Sequence, residues 1–278
     1  MCAKQLSRCT LIERSIIKKY QKPIWHRFIA ACKDYALVQP NDKIAVCISG
    51  GKDSFLLAKC MQGLQRHSEV PITLDFICMD PGYNAENRAL IEQNAALMEL
   101  PVHFFSTDIF NVVAEQPGGS PCYLCARMRR GYLYKEAQSR GCNKIALGHH
   151  FDDIIETTLM SMLYGAECKT MLPKLNSANY EGMQLIRPLA HVHEKDVLAW
   201  RRYNDLRFIQ CACRFTENAP PDSAGHGARA QVKQLVAHIL AVNPQADVNI
   251  FRSMQNVNLN MVLGYTQNGE QHTFLEDL

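Results

Sequence analysis

The apolar run Lys43-Ile44-Ala45-Val46-Cys47-Ile48 leads straight into Ser49-Gly50-Gly51-Lys52-Asp53-Ser54, after which Phe55-Leu56-Leu57-Ala58 opens a helical pattern. A strand, a glycine turn and a helix in that order present backbone N–H groups to an anion at a helix N-terminus. The two glycines let main chain approach the anion closely, Ser49 and Ser54 add hydroxyls, and Lys52 adds positive charge. A nucleotide phosphate, that of ATP, is the predicted ligand. Asp53 sharpens the prediction, because a carboxylate beside a phosphate nest repels its ligand unless Mg²⁺ bridges the two. The Gly-x4-Gly-Lys-Ser/Thr spacing of a Walker A loop is absent.

Strand-like runs recur near 43–48, 72–79, 102–105 and 144–147, separated by helical patterns at about 53–66, 86–99 and 123–140. That alternation predicts an α/β fold with a doubly wound, mainly parallel sheet and right-handed crossovers. Nucleotides bind such sheets at the carboxyl ends of the strands, the edge that carries the glycine turn, Met79-Asp80-Pro81-Gly82 and Gly148-His149-His150. Helical spacing over 10–37, interrupted near Pro23, predicts an amino-terminal segment packed on the sheet. The expected organisation is a helical segment at 1–40, an ATP-binding α/β domain at 41–210, a second helical segment at 211–263 and a frayed polar tail at 264–278.

With 278 residues and 47% hydrophobic content, the chain can bury a substantial core, which excludes general disorder. A formal net charge of +3 is too mild to mark a nucleic-acid binder by itself, so a basic footprint must be local. Arg127, Arg129 and Arg130 are the candidates for RNA binding, against the plainer reading of a solvated helix face. Twelve cysteines without an apolar leader at the amino terminus point to a reducing cytoplasm. No run approaches the roughly 18 apolar residues needed to span a bilayer, so no membrane partner is expected. Cys32, Cys47, Cys60, Cys78 and Cys142 read as small buried hydrophobes.

Cys122-Tyr123-Leu124-Cys125 places two thiols one turn apart at a helix start, and Cys211-Ala212-Cys213 supplies two more far downstream. Their convergence suits zinc or an iron–sulfur cluster, and spacing does not choose between them. Gly148-His149-His150-Phe151-Asp152-Asp153 leaves a strand and enters a helix, so Asp152 is either a helix cap or, facing the phosphate site, a Mg²⁺ ligand, with His149 placed to touch nucleotide. His191 and His193 have no comparable setting and read as surface residues.

Taken together, Ser49–Ser54, Cys122-x-x-Cys125 followed by Arg127, Arg129 and Arg130, Gly148-His149-His150-x-Asp152-Asp153, Ile186-Arg187-Pro188-Leu189, Cys211 and Met254-Gln255-Asn256-Val257 resemble the PP-loop ATPases that install 2-thiocytidine in tRNA. The resemblance implies a PP-loop, adenine nucleotide alpha hydrolase-like sheet and ATP, Mg²⁺ and a [4Fe–4S] cluster held by three cysteines with one open iron. It also implies adenylation of a nucleobase C2 carbonyl before sulfur replaces the oxygen. Because an open iron needs three ligands, Cys122, Cys125 and Cys211 are the expected set, with Cys213 the alternative. Asp53, Asp153 and Arg129 are the expected catalytic groups, and Ser49, Gly50, Gly51, Lys52, Asp53, Ser54, Gly148, His149 and Asp152 the nucleotide site. The implied partners are tRNA and a sulfur donor, either a cysteine desulfurase or free sulfide, and a homodimer is left open. Two other readings use the same residues: a PP-loop ligase activating a carbonyl for an amine, with structural zinc, and a nonenzymatic iron–sulfur sensor.

Overall fold

A computed structural model describes residues 6–109, 121–209 and 227–277, with backbone alone at 121–127 and 277. Two compact units divide the chain, one of Met1–Ile154 with Leu172–Ala224 and one of Ile155–Met171 with Gly225–Leu278.

The first unit is built on a six-stranded sheet. Its strands are β1 (Lys43–Cys47), β2 (Thr73–Asp80), β3 (Val102–Ser106), β4 (Lys144–Ala146), β5 (Lys174–Asn176) and β6 (Gln184–Ile186), in the order β3-β2-β1-β4-β6-β5. All neighbours are parallel except the β5–β6 pair, an antiparallel edge that the sequence pattern does not anticipate. The chain runs outward from β1 to β2 and β3, then returns to place β4 on the other side of β1. The order therefore reverses between β1 and β4, where the strand ends diverge and leave a crevice.

Alternation along β1 explains the two-sided core. Ile44 and Val46 join a cluster with Ile12, Phe28, Leu56 and Trp200, while Ala45 and Cys47 join Tyr134 and Ala137 on the opposite face. Phe55, Leu56, Leu57 and Ala58 are all fully buried in α3 (Lys52–His67), each large side chain contributing about 1.5–3 kcal/mol of transfer free energy. The amino-terminal segment is helical, as its spacing predicts: α1 (Arg8–Arg14) and α2 (Arg27–Asp34) flank wide π turns at Ser15–Lys19 and Gln21–His26, the second of which contains Pro23. Lys59 fastens this segment to the sheet layer. Its ammonium has no exposure and donates to Glu13 Oε1 at 2.6 Å, Gln62 Oε1 at 2.7 Å, the Met98 carbonyl at 2.9 Å and Cys9 Sγ at 3.3 Å. The crossovers continue through α4 (Ala85–Leu97), α5 (Pro121–Ser139), α6 (Phe151–Gly165) and α7 (Glu194–Tyr203).

The second unit holds the rest of α6, then α8 (Ala228–Val242) and α9 (Ala246–Ser253). Arg229 pairs with Glu156 at 3.3 Å, and Tyr164 donates to Gln231 at 2.7 Å. Residues 264–273, read from sequence as part of a frayed tail, instead form a hairpin of β7 (Gly264–Gln267) and β8 (Glu270–Thr273). Asn268 and Gly269 explain it: both have positive φ, 52° and 88°, as the tight turn between twisted strands requires.

Candidate active site

The glycine turn leaves β1 at the crevice. Gly50 has φ 86°, a left-handed conformation that calls for glycine, and a Cβ there would also press on the Ile209 side chain, 2.4 Å from its Cδ1. Ser54 Oγ donates to the Gly51 carbonyl at 2.9 Å and accepts from the Ser49 N–H at 3.2 Å, fixing the loop as it enters α3. Across the crevice Gly148 follows β4, and a Cβ on it would meet Asp53 C and Ser54 N at 3.0 Å. The two turns are in main-chain contact.

Asp53 is the distinctive group. Its Oδ2 holds Lys52 Nζ at 3.0 Å, but Oδ1 is buried and accepts no hydrogen bond, with His150 Nε2 3.8 Å away. Burial raises the Asp53 carboxyl above its ordinary value against the pull of His150 and Lys52, and the Asp153 charge pushes the same way as burial. A buried, unmatched hard oxygen beside a glycine turn is the kind of donor that suits Mg²⁺.

A cavity of about 310 Å³ opens here, within the range of roughly 300–1,000 Å³ common for small-molecule sites. Ser49, Asp53, Ser54, Gly148, His149, Asp153 and Arg129 line it, so the structure brings together seven of the residues singled out from sequence. No carboxylate among the described residues forms a salt bridge with Arg129, which leaves its charge available to an anionic ligand. Gly51 and Lys52 line a smaller neighbouring cavity of about 230 Å³ with Glu194 and Arg201, and Lys52 also reaches Glu194 at 3.4 Å.

The polar groups of the 148–153 turn are held by local bonds, and other expected residues lie elsewhere. Asp152 turns away to accept the Glu194 N–H at 2.7 Å, capping α7 rather than its own helix. Asp153 accepts the His150 N–H at 3.0 Å while His150 Nδ1 accepts the Asp153 N–H at 3.4 Å, a reciprocal capping box. His193, expected at the surface, is buried with its ring 4.4 Å from that of Phe151, because it starts α7 directly over the start of α6. His191 is half-buried against Tyr35, 3.1 Å from its hydroxyl, and burial lowers its pKa. Arg130 lies on another side of α5 from the cavity. Cys211 and Cys213 lie outside the described residues, and of Cys122, Cys125 and Arg127 only the backbone, within α5, is described.

Two residues quoted within the sequence motifs, but given no site role there, sit at the crevice. His150 is buried between Asp53 and Asp153, and Arg187 donates from Nε to His149 Nδ1 at 3.3 Å. That bond requires an unprotonated Nδ1, leaving the His149 proton on Nε2. The signal for Arg187 is its place immediately after β6, on the same strand-end edge as Gly148. The buried cysteines behave as expected: burial lifts the Cys32 thiol to about 12 and raises Cys47 and Cys60 further, leaving them chemically quiet.

A reversed strand order with a glycine turn, an unmatched carboxylate and an arginine that no described carboxylate pairs, all at one crevice, defines a nucleotide-binding PP-loop protein, and residues 17–214 match the model of a PP-loop domain. Among curated relatives, the tRNA-cytidine(32) 2-sulfurtransferase of Geobacter sulfurreducens is 34% identical over 82% of this chain and 86% of its own length. That of Coxiella burnetii is 31% identical over 86% of this chain and 91% of its own. The chain belongs to this PP-loop family of tRNA-cytidine(32) 2-sulfurtransferases. The fold is also that of the U34-tRNA thiolase NcsA from Methanococcus maripaludis, solved with its [4Fe–4S] cluster, with a TM-score of 0.66 at 18% identity over 87% of this chain and 80% of that one.

Proposed function

We propose that this protein is an ATP-dependent tRNA sulfurtransferase that replaces the C2 carbonyl oxygen of a cytidine with sulfur, at position 32 as in the relatives' names. The observation that carries the reading is the convergence of Asp53, Ser54, Gly148 and Arg129 on one cavity at the β1–β4 crevice. A carbonyl oxygen leaves poorly, whereas the same oxygen leaves readily as part of AMP. Attack of that oxygen on the α-phosphorus of ATP breaks the bond to the β-phosphate, and the glycine turn with the start of α3 receives the pyrophosphate. Arg129 offsets negative charge gathering at the α-phosphate, and His149, held by Arg187, presents an N–H to the nucleotide. Asp53, supported by Asp153 on the same cavity, is the residue to hold Mg²⁺, which would neutralise the phosphates. Addition of sulfur at C2 then expels AMP.

Cys122, Cys125 and Cys211, with Cys213 the alternative third ligand, are the residues to hold a [4Fe–4S] cluster, and soft thiolates are the donor set it takes. Such a cluster supplies a thiophilic site for inorganic sulfur. We take the donor to be a cysteine desulfurase or free sulfide, and the compartment to be the cytoplasm. Seven free cysteines among the described residues suit a reducing medium, and no helix of the described residues is long and apolar enough to cross a membrane. Pairing of two copies is supported by the large apolar side chains that the second unit exposes, Met261 at 81% and Leu263 at 84% among them. Light scattering of the purified chain tests that pairing.

The test of function is mass spectrometry of nucleosides from tRNA incubated with the anaerobically reconstituted protein, ATP and sulfide. 2-Thiocytidine is expected, dependent on ATP. An unchanged nucleoside profile, with ATP still consumed, would redirect the assignment to another substrate.

A further inference from the structure

On the other side of α5 from the nucleotide cavity lies a second and larger one, of about 580 Å³, lined by Arg130, Arg187, Asn176, Ser177, Asn179 and Tyr180 among others. Its chemistry is unlike that of the crevice. Arg187 is only 6% exposed, and its acceptors are neutral: His149 Nδ1 and the Leu172 carbonyl oxygen. No carboxylate among the described residues forms a salt bridge with it. Burial, and then the like charge of Arg130, bring the Arg187 pKa down to about 10, with Tyr134 and Asp153 pulling weakly the other way. A buried guanidinium facing a second guanidinium is unfavourable unless an anion joins them. Two planar forks flanked by amide and hydroxyl groups suit the paired oxygens of a phosphate.

Position identifies the phosphate. Arg129 and Arg130 are consecutive on α5, so their side chains diverge by about 100° and serve different cavities. Arg187, on the wall of one cavity, is hydrogen-bonded to His149 on the wall of the other. A polymer can meet both: a base directed to the nucleotide cavity and a neighbouring backbone phosphate to the second. A Mg²⁺-bound nucleotide fits the second cavity poorly, since its described lining contains no carboxylate and no glycine turn. We propose that the Arg130–Arg187 cavity binds a backbone phosphodiester of the substrate RNA next to the nucleoside being modified. This rests on the reading of the protein as a tRNA-modifying enzyme.

The test uses the full chain and a fluorescently labelled tRNA anticodon stem-loop, with affinity followed by anisotropy across a NaCl series. Arg130→Gln, at an exposed helix position, should weaken binding and reduce the slope of log K against log[NaCl] by about 1. Asn179→Asp, at an exposed loop position, places a carboxylate in the cavity; it should raise the melting temperature by pairing with the arginines and weaken RNA binding at the same time. Arg187→Gln should do the same to RNA if it folds, and the other two variants decide the matter if it does not. Wild-type affinity and slope in both Arg130→Gln and Asn179→Asp overturn the site, while thiolation by the wild type leaves the proposed function standing. A wild type that neither binds nor thiolates tRNA overturns both. If inorganic phosphate protects the wild type from thermal unfolding, Asn179→Asp abolishes that protection and RNA affinity is unmoved, the cavity takes a free anion and the RNA assignment fails.

Discussion

Two turns carry the chain from a central strand into a helix at the same sheet edge, and they treat their polar groups in opposite ways. At 148–153, Asp153 and His150 satisfy each other's backbone N–H groups, and Asp152 accepts from the start of α7. At 49–54 the serines bond within the loop, yet Asp53 Oδ1 is buried and unmatched. The first turn satisfies its own polar groups, and the second leaves one hard oxygen for which the proposed Mg²⁺ would be the partner. Asp53 and Asp153 line one cavity and both read as catalytic from sequence, but they differ in kind.

The largest expected effect is at Asp53. Asp53→Asn should lower ATP-dependent pyrophosphate release by about 10²–10³-fold, the range for removing one preorganised charge partner of a transition state. Near-normal release would break the comparison at its root. Next comes the contact between the turns. Gly148→Ala puts a Cβ 3.0 Å from the backbone of Asp53 and Ser54, so it should cost about 1–3 kcal/mol in urea unfolding and raise KM for ATP. A neutral outcome would show that the crevice relaxes freely. Third, Asp153→Ala should lose about 1 kcal/mol of stability with its cap and less turnover than Asp53→Asn, while Asp153→Asn, which keeps an acceptor for the His150 N–H, should recover most of the stability. If Asp153→Ala unfolds at the wild-type urea midpoint, the capping box is not what holds α6.

The smallest effect is on the stability of the ligand-free protein. The Asp53 carboxyl is held above its ordinary value, so the folded state binds that proton more tightly than the unfolded chain does. Stability is therefore fully present below the unfolded value, falls as pH rises through the raised folded value, and stays lowered at neutral pH. Asp53→Asn should melt above wild type at pH 7, by roughly 2–4 °C for each kcal/mol relieved, and the gap should close in acid. A variant that melts lower would mean that the Lys52 contact outweighs burial.

The crevice was legible because its elements are local. An apolar strand, two glycines and a helix start are consecutive, and so are Gly148 to Asp153. What sequence missed depends on contacts between distant segments. His193 carries no mark of burial until α7 is laid against Phe151, and Arg187 gains its neighbours only when β6 pairs with β4. The short edge strand β5 has too few residues for its alternation to register. The hairpin after Gly264 is a different kind of miss: Asn268-Gly269 is a strong turn signal, but its polar flanks bury little and resemble loose chain.

The buried ammonium of Lys59 has a consequence for what counts as the enzyme. It lies about two turns along the helix that follows the glycine turn, and two of its acceptors, Cys9 Sγ and Glu13, belong to α1. A proteolytic cut after Arg14 would spare every residue assigned to ATP, metal or RNA, yet take away two of the four acceptors of an ammonium in the helix that carries Asp53. The amino-terminal helix thus braces, through Lys59, the helix that carries Asp53, without supplying any residue assigned to the chemistry.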